Sequence, residues 1–88
     1  MNNIVSDNNK ARMRWLCRRG MKELDVLLES FMAQEYDQLS EEETAVFGEI
    51  LQSEDPDLHA YLTGKLQASN PEWSPILERI RRQAGIQA

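Results

Sequence analysis

The side chains best equipped for chemistry stand together at Arg18-Arg19-Gly20-Met21-Lys22-Glu23. Arg19 offers five donors in a rigid planar fork that matches a carboxylate or another planar anion, and Glu23 offers a strong acceptor four residues on. In one continuous helix the two would form an ordinary i, i+4 ion pair worth at most about 0.5 kcal/mol. A glycine between them would then be a poor choice for stability. Gly20 reads instead as the left-handed end of one helix with a second starting directly after it, a junction that presents its flanks to a partner. The charge pattern marks the same boundary. Lys10, Arg12, Arg14, Arg18 and Arg19 accumulate with no acidic residue after Asp7, whereas Glu23 to Gly64 holds twelve carboxylates and no Lys or Arg.

Other reactive types are sparse. His59 and Cys17 are the only histidine and cysteine, so no ligand set for zinc or iron exists and no metal is assigned. Cys17 lies beside arginines that would acidify a thiol, but no histidine base is placed by any motif, and it reads as a small helix residue. Trp15 reads first as a core anchor, with stacking on a guanidinium or a planar ligand as the alternative. No phosphate loop, nucleophile elbow or paired-carboxylate site is present, and the acidic residues read as a solvated face. No catalytic residue is assigned.

A chain of 88 residues has room for one small core. Apolar residues at 41% and charged residues at 28% fit a soluble globular domain, and apolar runs of two or three residues exclude a membrane-spanning helix. The net charge of −5 and pI of 4.8 argue against nucleic-acid binding by the domain as a whole. The basic first 22 residues suit an acidic protein surface or one small anion. A lone cysteine, no secretory signal and no disposable presequence lead to the expectation of a bacterial cytoplasmic protein.

The elements that position the junction read as helices throughout. Residues 1–7 are expected as a loose tail, with Asp7 or Asn8 capping a first helix to about Arg18 that turns Ala11, Trp15 and Leu16 inward and its arginines outward. Met21, Leu24, Leu27, Leu28, Phe31 and Met32 give the amphipathic stripe of a second. Gln34 to Leu39 breaks the pattern, and Ser40-Glu41-Glu42-Glu43 is a capping box opening a third, with Val46, Phe47, Ile50 and Leu51 inside. Asp55-Pro56 starts a fourth, with aspartate as cap, that buries Leu58, Tyr61, Leu62 and Leu66. Ser74-Pro75 repeats that logic for a fifth carrying Ile76, Leu77, Ile80 and Ala84 and closed by Gly85. The expected fold is an all-α, compact single-domain bundle of about five helices over 8–85, with 86–88 as a C-terminal tail.

Lys10-Ala11-Arg12, Trp15, Arg18 to Asp25, Phe31, Tyr36-Asp37, Leu39-Ser40 and Leu51 followed by Asp55-Pro56-Asp57-Leu58 closely resemble the succinate dehydrogenase assembly factor (flavinylation factor) family from about Asn9 to Leu62. The resemblance implies a helical chaperone that is not itself an enzyme. It would bind the flavoprotein subunit of succinate dehydrogenase, and in bacteria that of fumarate reductase, and promote covalent attachment of FAD to a histidine there. The flavin then belongs to the partner and none is bound stably by this chain. Arg19, Gly20 and Glu23 fall on the family's Arg-Gly-x-x-Glu motif with Arg18 and Asp25 beside it, and Asp55, Pro56 and Asp57 fall on its second motif. Tyr61 or Leu62 departs from the aromatic, usually tryptophan, that follows that motif. With Arg12, Arg14 and Trp15 from the basic helix, these form the expected partner-binding set. Arg19 and its neighbours would make charge-assisted contacts, Gly20 would allow close backbone approach, and Glu23 would either accept from the partner or brace Arg19. The free chain is expected to be a monomer that neither binds nucleic acid nor inserts in membranes. The rival readings are the antitoxin half of a toxin-antitoxin pair, a small transcription factor, and an unaided transferase using Arg19 and Glu23.

Overall fold

The computed structural model describes residues 10–85; the expected tails and the caps Asp7 and Asn8 lie outside them. Five helices follow in chain order: α1 over 10–16, α2 Lys22–Gln34, α3 Glu41–Ile50, α4 Asp55–Leu62 and α5 Trp73–Ala84. A 3₁₀ turn, Tyr36–Gln38, carries the chain from α2 to α3, and no strand occurs among the described residues. The all-α expectation holds.

The core forms where the stripes meet. Leu24, Leu28, Phe31 and Met32 of α2 face Phe47 and Ile50 of α3, Leu58 and Leu62 of α4, and Ile76, Leu77 and Ile80 of α5, all buried. Phe31 and Phe47 tilt together with ring centroids 5.1 Å apart, and Tyr36 approaches Phe47 at 6.4 Å, arrangements that favour ring edges over faces. α5 packs on α2, α3 and α4 and is tied to them by polar links. Arg79 bonds Glu35 at 2.8 Å and Glu43 at 3.2 Å, Arg81 donates to the Tyr61 carbonyl at 2.8 Å, and Ser30 donates to Gln83 at 2.9 Å.

α1 crosses this body through Met13, Leu16 and Cys17. Gly48 lets it approach α3: a Cβ there would stand 3.2 Å from Met13 Cε, so the glycine serves as a contact surface. The inward face of α1 is therefore the expected one only at Leu16. Ala11 is exposed and Trp15 is 73% exposed, because the helix turns its Met13 side to the core. Trp15 is not a core anchor.

Three further expectations are corrected. Leu66 lies past the end of α4 and is 46% exposed. Asp55 is the first residue of α4 rather than its cap; Glu54 holds the cap position without a side-chain bond, since the Asp55 carboxylate is engaged elsewhere. α5 begins at Trp73 and not after Ser74. Its approach is set by Asn70, whose Oδ1 accepts from the Glu72 amide at 2.9 Å, and Trp73 is then held edge-on against Tyr61 at 6.0 Å.

The capping box of α3 forms in full: Glu43 N–H donates to Ser40 Oγ at 3.1 Å and Ser40 N–H to Glu43 Oε1 at 2.9 Å. The Ser40 amide, together with the Arg79 charge, holds the Glu43 carboxyl below its ordinary 4.5. Folding therefore favours ionised Glu43, a contribution whole above about pH 4.5 and lost as pH falls through the lowered folded value. Ser40→Ala is expected to cost about 1 kcal/mol of stability in denaturant titrations. The stability gap between wild type and Glu43→Gln should be full at neutral pH and close on acidification; a gap independent of pH would contradict the assignment.

Candidate functional site

Between α1 and α2 the chain needs only a short linker, and Arg19 fixes its shape. The Arg19 amide donates to Asp25 Oδ1 at 2.7 Å, which bends the linker back over the first turns of α2. Its side chain runs inward and is 12% exposed. Nε donates to Asp55 Oδ1 at 2.7 Å, Nη1 to the carbonyls of Leu51 at 2.7 Å and Leu16 at 3.1 Å, and Nη2 to the carbonyl of Ser53. Four of the five guanidinium donors are thus occupied. Leu51 and Ser53 follow α3, where carbonyls lack intrahelical partners and the helix dipole favours a cation. One fork joins the end of α1, the end of α3 and the start of α4.

This overturns two expectations. Arg19 does not point outward, and Glu23 does not brace it. The brace is Asp25 on the backbone and Asp55 on the side chain, 36 positions away. Glu23 is 75% exposed and pairs with His59 Nε2 at 2.7 Å, linking α2 to α4. His59, considered above only as a metal ligand, is the residue missed. Its i, i+36 pairing with Glu23 leaves no trace in local spacing.

The linker glycine meets its expectation. Gly20 has φ of +80°, and a Cβ built on it would find no atom within 4 Å. Its backbone lies open on the surface. On either side of it in the chain, Arg12, Arg14, Arg18 and Lys22 are exposed, none paired with a described residue. Elsewhere Lys10, Arg79 and Arg82 each bond a carboxylate. Trp15 stands in the same segment as these unpaired cations. Pro56 and Asp57 are exposed on the first turn of α4, and the Arg19–Asp55 bond brings that turn to the junction.

Cys17 cannot serve as a nucleophile here. It is 1% exposed, and burial pushes its thiol up to about 12 against a smaller opposing effect of the Arg19 charge. The sequence-selected residues therefore divide into a frame of Arg19, Asp25 and Asp55, and a surface of Arg12, Arg14, Trp15, Arg18, Gly20, Glu23, Pro56 and Asp57. The exposed part holds cations, an indole and open backbone, groups that can make charge-assisted and apolar contacts.

A family model described as "Flavinator of succinate dehydrogenase" matches residues 11–84. The chain is also similar to three proteins named FAD assembly factor SdhE. It is 48% identical to that of Idiomarina loihiensis over 78% of this chain and 77% of the relative. For Shewanella oneidensis the identity is 42% over 86% and 93%, and for Vibrio vulnificus 41% over 88% and 90%.

Arg19→Ala strands the Asp55 carboxylate and three carbonyls. It should cost about 2–3 kcal/mol, below the figure for a fully buried pair because the Asp55 side chain is 32% exposed. Arg18→Ala, one residue earlier and exposed, should stay within about 0.5 kcal/mol of wild type. Urea unfolding of both variants checks the division, and equal losses would refute it.

Proposed function

We propose that this chain, which belongs to the family described as flavinator of succinate dehydrogenase, binds the flavoprotein subunit of that enzyme and promotes covalent attachment of FAD to it. The observation that carries the reading is the unpaired basic stretch: Arg12, Arg14, Arg18 and Lys22 are exposed along the same segment as Trp15 and the open backbone of Gly20, in a chain of net charge −5. A cationic patch on an acidic body steers one orientation onto an acidic surface of a partner and repels the others. Trp15, 73% exposed in that stretch, supplies a large apolar contact, the type that most often dominates a binding interface.

Binding of this kind speeds flavin attachment without a reacting group from the chain. The factor holds the flavoprotein in the conformation where flavin and acceptor histidine are aligned, and affinity for that conformation over the others shifts the population toward it. The inaccessible thiol of Cys17 agrees with a chaperone rather than a transferase. The flavin is the partner's, the free chain is a monomer in the bacterial cytoplasm, and the flavoprotein of fumarate reductase is a second client.

The test is covalent flavin fluorescence of the flavoprotein subunit on a denaturing gel. Flavin should rise with the wild-type chain and stay near the level without it for Gly20→Arg and for Arg14→Glu with Arg18→Glu. Gly20→Arg carries strain of about 1–2 kcal/mol at its positive φ but meets no neighbour, so thermal melts should show both variants folded. Folded variants that support flavin attachment as well as wild type would sink the assignment of this face.

A further inference from the structure

Beyond the basic face, the surface between α2 and α4 carries a feature that neither folding nor charge explains. A groove of about 410 Å³ runs between them, lined by Lys22, Glu23, Val26, Leu27, His59 and Thr63. Val26 is 58% exposed, pointing away from the stripe of Leu24, Leu28, Phe31 and Met32 that α2 buries. A β-branched residue on the outer face of a helix has no stability rationale, since a straight-chain residue there would favour the helix more. The floor is apolar, made by Val26, the half-buried Leu27 and the Thr63 methyl. The charges stand on the rim: Lys22 at one end without a described partner, and the Glu23–His59 pair across the groove at 2.7 Å.

Lys22 and Glu23 open α2 directly after the Gly20 junction, so groove and junction form one continuous surface. We propose that this groove is a second contact site for the flavoprotein subunit, receiving an apolar side chain of that protein with an acidic residue beside it facing Lys22. The inference rests on the function proposed above. The occupant follows from the rim and from size. An unpaired ammonium next to an apolar floor calls for a carboxylate adjoining an apolar anchor, and Glu23 is already engaged by His59. A second copy of this chain is the weaker occupant. Stable protein interfaces bury roughly 1,200–2,000 Å², far more than one short groove offers alone, whereas as an extension of the basic face it enlarges an interface that already has an electrostatic part. The two parts differ in physics: the basic face supplies a salt-screened attraction, and the groove supplies apolar burial that salt leaves in place.

The experiment measures binding of the intact chain to the purified flavoprotein subunit by calorimetry at low and high salt. Val26→Asp should weaken binding about tenfold or more, as loss of a desolvated anchor does, with an unchanged melting temperature, and Val26→Leu should restore it. The fold-loss from the uncharged Val26→Asn should be similar at both salt concentrations, while that from Arg14→Glu should shrink at high salt. If wild type binds and Val26→Asp binds equally well, the groove inference fails and the proposed function stands. If wild type itself does not bind, the proposed function fails first. A wild-type dimer in sedimentation that dissociates on Val26→Asp would assign the groove to a second copy and overturn the proposal.

Discussion

The fold turns on one guanidinium. The Arg19 side chain answers an electrostatic need that the helices create and cannot meet themselves: α3 ends with free carbonyls at Leu51 and Ser53, and α4 begins with a carboxylate at Asp55. A lysine could neutralise that site but could not bond four acceptors in fixed directions; the planar fork can. Because Leu16 is among the acceptors, the same side chain also sets where α1 stops. In an 88-residue chain with a small core, a single partly buried cation that orders three element ends contributes disproportionately to uniqueness.

This explains how an arginine and a glycine in adjacent positions serve different purposes. Arg19 is drawn inward, which forces the backbone at residue 20 into a left-handed turn at the surface, and only glycine adopts φ of +80° there without strain. The space above Gly20 is open beside the inward Arg19. Arg18 is directed outward by the same geometry, since its neighbour takes the inner site. The basic segment is divided between frame and surface by the chain's own packing.

What could be read from the sequence was local. The stripe of α2, the reciprocal bonds of Ser40 and Glu43 and the left-handed turn at Gly20 depend on residues within a few positions of one another, and each formed as spacing dictates. The choice between inner and outer roles for cations was not legible, because Arg19 finds Asp55 across 36 positions and nothing at Arg18 or Arg19 signals which one will. Trp15 was misplaced for a related reason. Residue type suggests burial, but the side of α1 that faces the body carries Met13 and Leu16, with Met13 packed where Gly48 has no side chain. Asp55 shows the same competition: a residue suited to capping α4 is diverted to a stronger, charged partner, and Glu54 takes the cap position.

A factor that acts by population shift is limited by its differential affinity for two conformations of its partner, and rigidity determines how much of the contact energy becomes discrimination. A flexible junction would follow the flavoprotein into either conformation and bind both. The internal bonds of Arg19, Asp25 and Asp55 prevent this by holding Gly20, Arg18 and the start of α4 in one relative position before any partner arrives. Under the proposed function, the arginine of the Arg-Gly-x-x-Glu unit serves partner selection by being unavailable to the partner. On that reading its work is to keep the surface offered to the flavoprotein from adapting to the wrong shape.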